Sequence, residues 1–412
     1  MSVVIDATTA ARITGARNWH AVRAHYPARV DAMAAGLTVG DPAADAVIAA
    51  MSGDPGFTWR QIVAALDGEP GTGCAGAPPP QPVADFLDAV ATPPPWFDPA
   101  LARAGAEAWW RFGSLQSSTL YQSLMYGYQA RGFTEPLVRT GRLTDGTWDR
   151  VQATARWVTV ATAPGMMEPG QPGWQESVRI RLVHAMVRHH LYTREGWDDA
   201  SYGVPINQTY QQLTITAGFL VLPLLVAKDF GIRYSAADLE AICHLWRWIG
   251  WVMGVSEPLL PNGLDDARLT YRIAREFRMQ PDAESKVLVR ALLADGYRVS
   301  LGLPGPLDDA AQLLSGPFLR ALFSSVSSRW VDHEVAAEMG LRATPLHRLV
   351  DVARPLIRSR ELARALGLLG SEQAIARREL RLVTNRLGID LDAPGLGSRY
   401  RSADRGRLDT VA

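Results

Sequence analysis

The chain has 412 residues, 47% of them hydrophobic, and its 42 basic residues balance 42 acidic ones. A chain of this length can bury a large core. Zero net charge without a basic run gives no electrostatic basis for binding nucleic acid, so we expect no nucleic-acid partner. Two cysteines, Cys74 and Cys243, are too few for a disulfide framework.

The N-terminal sequence carries no signal for export. It lacks a basic start followed by an apolar segment, and it lacks a twin-arginine motif, so we expect a cytoplasmic protein. The longest apolar run, residues 215–227, is shorter than a bilayer span and contains Pro223. This run predicts a buried helix and no transmembrane segment.

Helical patterns begin near the N-terminus. We predict one helix over residues 10–35, a second that starts at Asp41 with Pro42 in its first turn, and a short third helix over 59–66. The Pro- and Gly-rich stretch 69–83 predicts a linker. Residues 1–68 are therefore interpreted as an N-terminal helical extension.

The next helices are rich in aromatic and apolar residues. Asp98 as N-cap and Pro99 at the first helical position predict a helix start, and Trp109 and Trp110 make this helix too aromatic for a surface. A largely apolar helix is predicted over 115–130. Both helices belong to a core.

A turn at Asp145 and Gly146 precedes a helix that carries Arg150 and Thr154. Residues four apart share a helix face. An arginine and a hydroxyl therefore point together, which suits a polar wall of a pocket.

The C-terminal half is also helical. Ser235 and Asp238 form a predicted capping box, which opens a helix containing His244. His244 is either a histidine near a ligand or a packed core residue. Further helices are predicted over 282–295, 306–340, 344–367 and 371–387, followed by a poorly ordered tail over 389–412.

No strand-period pattern, internal repeat or heptad run of convincing length is present. The predicted fold class is all-α. We predict a multi-helix single domain over residues 84–388, with extra helices at its ends.

The segment 179–191 combines a histidine with an apolar helix face. At about 100° per residue, one face gathers the side chains of Ile180, His184, Val187, Arg188 and Leu191, with Arg181 at its edge. The aliphatic residues lie on one side of His184 and the two arginines on the other. His189 and His190 are rotated by roughly 120° to 140° from His184, so they cannot share one metal ion with it.

This face suits a flat apolar ligand with anions along one edge. Haem is such a ligand: His184 would bind the iron, the aliphatic side chains would pack on the macrocycle, and Arg181 and Arg188 would pair with the propionates. The other interpretation is a hydrogen-bonded core histidine with arginines in surface salt bridges. The chain has no Cys-x-x-Cys-His motif, so any haem would be bound non-covalently.

Motifs of several other enzyme classes are missing. The chain has no G-x-G-x-x-G after a strand, no Walker loop, no H-E-x-x-H and no G-x-S-x-G. The histidine and carboxylate spacings of non-haem iron sites are also missing.

Several segments, in this order, resemble the latex-clearing protein (rubber oxygenase) family and the related oxygenase of mycophenolic acid biosynthesis. They are TGRL at 140–143, Arg150 with Thr154, MMEPGQPGW at 166–174, VRIRLVHAMVRH at 178–189, PINQ at 205–208 and HLWRWIGWVMGVSEPLLP at 244–261. The similarity spans roughly residues 95–275, and the combination is more specific than any one piece.

The resemblance implies an all-helical fold with a globin-like core that holds haem b. It implies His184 as the proximal iron ligand, with Arg150 and Thr154 on the distal side. In rubber oxygenases, O₂ is inserted across an isoprenoid C=C bond and leaves carbonyl ends. The resemblance therefore implies a haem-dependent oxygenase that uses O₂ on an apolar, isoprenoid-like alkene.

The chain also departs from the family pattern. Ala153 stands where rubber oxygenases have a lysine before the distal threonine, so no lysine function is expected there. A family carboxylate falls near Glu135 without a fixed register. A cytoplasmic protein would not meet solid polymer, so we expect a small or membrane-derived alkene.

Two other functions stay open at this stage. One is a haem protein that binds O₂ or another gas without turnover, as a sensor or carrier. The other is a haem-free helical protein that kept the fold and lost the chemistry. The oligomeric state is not predicted.

Overall fold

The computed structural model describes residues 5–53, 57–67, 80–140, 147–295 and 305–393. The helices of the N-terminal half are α1 (Ala7–Thr14), α2 (Trp19–His25), α3 (Pro27–Gly36), α4 (Pro42–Gly53), α5 (Trp59–Leu66), α6 (Gln81–Ala91), α7 (Pro99–Trp109), α8 (Gln116–Gly127), α9 (Arg131–Arg139), α10 (Thr147–Ala161) and α11 (Pro172–Arg194). Those of the C-terminal half are α12 (Asp199–Tyr202), α13 (Gln208–Gln212), α14 (Leu222–Phe230), α15 (Ala236–Val252), α16 (Leu264–Glu276), α17 (Ala283–Asp295), α18 (Gly305–Ser327), α19 (His333–Glu338), α20 (Leu349–Ala365) and α21 (Glu372–Leu387).

The predicted all-α class is confirmed. Within the described ranges the regular structure is helical, and the β-type pairing there is an isolated bridge between Ala16 and Met279. This bridge ties the start of the chain to the end of α16.

The single helix predicted over residues 10–35 is wrong, because the chain forms α1, α2 and α3 instead. Gly15 ends α1 in the left-handed region at φ 66°, which a β-carbon would disfavour. Pro27 begins α3, since proline suits the first helical turn and not a helix interior. The helices predicted from Asp41 and over 59–66 are confirmed as α4 and α5.

The predicted linker 69–83 lies largely outside the described residues. Helix α6 begins at Gln81, inside its last residues. The N-terminal helices are packed on the rest of the protein, since α4 contacts both α6 and α11.

The densest helix contact joins α7 and α15. Gly105 of α7 faces the backbone of Ala241, where a β-carbon would collide with the carbonyl oxygen. Trp109 and Trp246 pack edge-to-face with ring centroids 5.2 Å apart. The predicted caps are confirmed: Asp98 accepts the Ala100 N–H at 2.9 Å, and α15 begins with the predicted capping box.

The buried helix predicted over the apolar run 215–227 is part of a longer one. From Gln208 to Phe230 the chain runs through α13, a π-helical segment Leu213–Val221 and α14. By length and composition this helix could cross a membrane, and 72% of its most apolar window is buried inside the protein. Burial of that kind is typical of a core helix.

The C-terminal helices close one side of the molecule. Arg111 pairs with Asp238 at 2.8 Å and with Glu372 of α21 at 3.3 Å, which joins α15 and α21. The helix predicted over 306–340 is divided into α18 and α19, because Asp332 caps a new helix start. In the predicted tail, Ile389 is buried in the core, and 394–412 lie outside the described residues.

Candidate functional site

The candidate site is built on a helical hairpin formed by α10 and α11. The indole N–H of Trp157 donates to the hydroxyl of Ser177 at 3.0 Å, and Ser177 donates to the Gly173 carbonyl at 2.7 Å. A β-carbon on Gly173 would lie 2.8 Å from the Val160 oxygen, so only glycine allows this backbone approach. The two helices are therefore locked at one end.

The contacts of Trp157, Ser177 and Gly173 form a lock between the two helices, and this lock is a reference point for the positions of the predicted site residues. Arg150 lies seven residues before Trp157, and His184 lies seven residues after Ser177. At about 1.5 Å per residue, both side chains are about 10 Å from the lock along their own helices. The predicted histidine and the predicted arginine are therefore equally far from the lock, each along its own helix.

His184 is held as a neutral imidazole without a hydrogen bond to Nδ1. Burial, reinforced by the cation of Arg188, lowers the pKa of His184 from 6.5 to about 4, and the weaker influence of Asp41 opposes the shift. The Nδ1 atom is buried and has no partner. A buried polar atom without a partner costs stability, so such an atom indicates a role beyond packing. A neutral imidazole is the form that binds a metal.

The side chains of α10 and His184 itself keep accessible surface. Helix α10 contacts α8, α11, α17 and α21, yet residues 150–156 are all half-buried, without a single fully buried side chain. His184 also keeps accessible surface, although it is surrounded closely enough to stay neutral. The neutral imidazole with its unpartnered Nδ1, and the accessible surface of the side chains around it, fit an iron-containing group bound at His184.

Arg150 and Thr154 lie on α10 as the sequence predicts. The Nη1 atom of Arg150 is buried and has no hydrogen-bond partner, and the guanidinium lies over the ring of Tyr128 at 5.8 Å. Thr154 donates its hydroxyl to the Arg150 carbonyl at 3.0 Å. Its oxygen keeps acceptor capacity, so the pair offers a cationic donor and an acceptor on one face.

Arg181 and Arg188 have carboxylate partners at the start of the chain. Arg181 forms a bidentate pair with Asp41 at 2.6 and 2.9 Å. Arg188 donates to Asp45 at 2.8 Å, while its Nη2 atom is buried without a partner. These pairs are more buried than the surface salt bridges considered from the sequence. The predicted contact with propionates stays a prediction, and Arg188 retains one donor for it.

The other histidines lie apart from His184. His189 Nε2 lies 3.5 Å from the Ser52 hydroxyl, and His190 lies 3.4 Å from the Glu195 carboxylate, both at exposed positions. Within the part of the chain that the structure describes, no group of three or more His, Cys, Asp or Glu side chains could hold a metal ion.

His244 is a packed residue of an aromatic cluster. Its Nε2 accepts the N–H of Asp98 at 3.0 Å, and its ring stacks on Phe97 with centroids 5.9 Å apart. Burial lowers its pKa, so the ring accepts as a neutral base. Of the two interpretations from the sequence, this arrangement favours the core histidine.

Glu135 is buried on α9 and pairs with Arg139 at 2.7 Å. Arg139 in turn lies over the Trp197 ring at 5.4 Å. The part of TGRL after Thr140, and the Asp145–Gly146 turn, lie outside the described residues.

Some residues of the recognised motifs form side-chain hydrogen bonds between segments that are distant in sequence, a role that the sequence analysis did not predict. Gln208 of PINQ donates to the Gly40 and Gly254 carbonyls at 2.7 and 2.9 Å and accepts the Ser256 N–H at 2.7 Å. Trp248 donates to the Met167 carbonyl at 2.7 Å. These bonds join motifs that are far apart in sequence into one frame around α11.

A second polar feature lies on the helix that packs against α10. Phe219 of the π-helical segment meets Trp157 edge-to-face at 5.4 Å. On the same helix, both amide atoms of Gln212 and the hydroxyl of Thr216 are buried without partners. π-Helical segments occur often at functional sites, but this one gives no periodicity signal in a single sequence.

These features define an all-helical protein in which two joined helices carry a half-buried, neutral histidine with a buried Nδ1 and a half-buried arginine with a buried Nη1. Residues 109–367 match the family described as ER-bound oxygenase mpaB/B'/Rubber oxygenase, catalytic domain. The chain belongs to this family, as the resemblance in the sequence predicted.

Two relatives support this membership. A curated protein named rubber oxygenase, from Streptomyces sp. (strain K30), is 25% identical over 284 residues, which are 66% of this chain. The match spans 64% of the length of that relative. A solved structure of latex clearing protein LCP in the closed state superposes with a TM-score of 0.60 at 22% identity, over 84% of this chain and 91% of that one. The latter shows that the two proteins share a fold.

Proposed function

We propose that this protein is a haem b-dependent oxygenase that uses O₂ to cleave or oxidise a C=C bond of an apolar, isoprenoid-like substrate. The observation that carries the proposal is His184, a half-buried neutral imidazole whose Nδ1 is buried and has no partner. Membership of the oxygenase family supports it. A cytoplasmic location belongs to the same proposal.

His184 would hold haem b as the proximal ligand of its iron. Haem b, when bound, supplies a redox-active iron for chemistry with O₂. The half-buried residues on the same turns, Ile180, Val183 and Val187, offer aliphatic packing for a macrocycle. The buried Nη2 of Arg188 would serve one propionate, and Arg181 would share its guanidinium between Asp41 and the other.

Arg150 and Thr154 would act on the substrate side. The buried Nη1 of Arg150 is a fixed positive donor in a weakly polar space, where such a group stabilises developing negative charge on oxygen. Tyr128 holds the guanidinium by its ring face and leaves the donor unoccupied. Thr154 would orient a ligand bound on this side through a hydrogen bond to its hydroxyl oxygen.

The apolar substrate is inferred from the relative and from the lining. The Streptomyces relative is named a rubber oxygenase, and in this chain Val151 and Ala155 of α10 and Met186 of α11 are half-buried apolar residues. Cleavage of a C=C bond by one O₂ molecule leaves two carbonyl groups, so both oxygen atoms and all electrons are balanced without an added reductant.

The first experiment is a visible spectrum of the purified protein, oxidised, reduced with dithionite and then exposed to carbon monoxide. A Soret band typical of histidine-ligated haem is expected, and the absence of haem after supplementation would remove the proposal. The second is O₂ consumption with squalene under ¹⁸O₂. Two labelled carbonyl products are expected, whereas a haem band without substrate-dependent consumption would favour a gas carrier or sensor.

A further inference from the structure

Helix α20 presents an uncovered apolar face. Its exposed side chains include Val352 (71%), Leu356 (76%), Leu362 (62%) and Leu366 (65%). At 100° per residue these four and Leu349 fall within an arc of about 140°. The opposite side of α20 is buried through Val350 and Ile357. Ser359 also lies within this arc, and its hydroxyl donates to the Pro355 carbonyl at 3.0 Å. Monomeric proteins rarely leave several large apolar side chains so exposed on one helix face, so this face indicates an interaction surface.

A shallow depression extends this face at the start of α20. Its volume is about 410 Å³, and its lining is mainly apolar, with Pro345, Leu346, Leu349 and Val352. Arg348 also lines it. The surface therefore pairs an apolar hollow with a cation.

Helices α20 and α21 are connected by the ion pairs Arg360–Glu379 and Arg364–Glu372, and both regions expose further arginines. The exposed arginines lie immediately before α20, on α20 and on α21: Arg348, Arg358, Arg377, Arg381 and Arg386. None of these five has a carboxylate partner among the described residues. In a chain with zero net charge, this is a local excess of positive charge.

The carboxylates of the same two helices are already neutralised. Asp351 pairs with Arg329 and Arg354, and Glu361 with Arg364. Glu372 and Glu379 are likewise paired with arginines. The positive charge of the five exposed arginines is therefore not balanced by carboxylates of these two helices.

We propose that α20 and α21 form a docking surface for an anionic lipid membrane. The exposed leucines and Val352 would enter the boundary between headgroups and acyl chains, and the arginines would pair with lipid phosphates. This proposal is independent of the proposed oxygenase function. It gives the protein access to apolar compounds dissolved in a bilayer.

The positive charge of the exposed arginines favours an anionic membrane over three other partners that could cover an apolar face: a second copy of the chain, the segment 394–412 and a neutral hydrocarbon. A second copy docked by twofold symmetry would bring like-charged arginines together. The segment 394–412, outside the described residues, carries four arginines and two aspartates, so it does not complement a basic surface. A neutral hydrocarbon would contact the apolar side chains but would offer no anion to the arginines. An anionic lipid offers acyl chains to the apolar side chains and phosphates to the arginines.

The test is co-sedimentation of the full-length protein with vesicles of phosphatidylcholine plus phosphatidylglycerol, and with vesicles of phosphatidylcholine alone. We expect binding to the anionic vesicles that weakens in about 0.5 M KCl, where charges are screened. The variant Val352→Gln/Leu356→Gln should bind at least about tenfold more weakly, because two inserted apolar side chains are lost. Arg377→Gln/Arg381→Gln should lower binding to anionic vesicles by a similar factor.

The matched control is Leu101→Gln/Val287→Gln, which changes the same residue types where they are exposed by 37% and 40% on α7 and α17. This variant should bind within twofold of the unchanged protein, and circular dichroism should give the same helix content for all variants. Four results would overturn the proposal: no sedimentation with anionic vesicles, equal binding to neutral ones, equal loss in the control, or a vesicle-free dimer that only the α20 variant abolishes.

Discussion

Trp157 donates to Ser177 at 3.0 Å, and this bond fixes the register of the hairpin that carries every candidate site residue. The bond is buried, and Ser177 is also held by the Gly173 carbonyl. The positions of Arg150 and His184 therefore depend on a contact at the opposite end of their helices.

Ser177→Ala should lower the free energy of unfolding without changing the helix content of the protein. The indole N–H of Trp157 would stay buried without an acceptor, which costs about 1–3 kcal/mol of unfolding free energy. Urea unfolding followed by circular dichroism measures this cost. Ser52→Ala, at an exposed position, is the control and should be neutral. A stability equal to the unchanged protein would mean that another contact sets the hairpin.

His184→Ala should abolish or greatly weaken haem retention, because it removes the proposed iron ligand. His190→Ala is the matched control, since this exposed residue lies on the same helix and pairs with Glu195. The ratio of Soret to protein absorbance after haem supplementation measures retention. Equal loss in the two variants would contradict a single-ligand site.

Arg150→Ala and Thr154→Ala should retain haem and slow turnover. Loss of one preorganised donor to a developing oxyanion costs about 10²–10³ in rate in other enzymes, and we expect the larger effect for Arg150 because its buried Nη1 is charged. Substrate-dependent O₂ uptake, normalised to bound haem, is the measurement. Full activity in both variants would exclude them from the mechanism.

Asp41→Ala should be strongly destabilising. It would leave Arg181 buried without its bidentate carboxylate, and breaking a buried pair costs about 3–5 kcal/mol. Asp265→Ala is the control, because this 97% exposed carboxylate forms a surface pair with Arg268 and should contribute nothing measurable. Similar unfolding midpoints in urea for both variants would contradict a structural role for the Arg181 pair.

The haem-free protein should lose stability as the pH falls from 6.5 towards 4. The pKa of His184 is about 4 in the folded state, so below pH 6.5 the unfolded chain takes up a proton that folded His184 does not. The loss from this residue approaches about 3 kcal/mol at pH 4 and is absent above pH 6.5. Urea unfolding at several pH values should show a flatter profile for His184→Leu, and identical slopes would refute the neutral buried state.

Local patterns in the sequence were sufficient for most helices. The Asp98 cap, the capping box at Ser235 and the starts of α4 and α5 depend on residues within one turn, so short-range chemistry determines them. The helix predicted over 10–35 failed because the left-handed conformation of Gly15 ends α1 there, and a single glycine is tolerated in many helices.

The role of a charged side chain could not be read from helix angles alone. The angles placed Arg181 and Arg188 beside His184, but not their partners, Asp41 and Asp45, which lie about 140 residues away. Helical periodicity predicts the direction in which a side chain points, but it does not predict which residue of another helix the side chain contacts. Distant partners are set by the packing of α4 on α11.

The sequence by itself determined the all-α class, the face that carries His184 and, through the order of its motifs, the oxygenase family. Only the tertiary structure decided that His184 is neutral with an Nδ1 that has no partner, that Arg150 has a buried Nη1 without a partner, and that α20 leaves its apolar face in water. The physical reason is range: helix formation follows from neighbours within one or two turns, whereas burial, pKa and exposure depend on what distant segments place around a side chain.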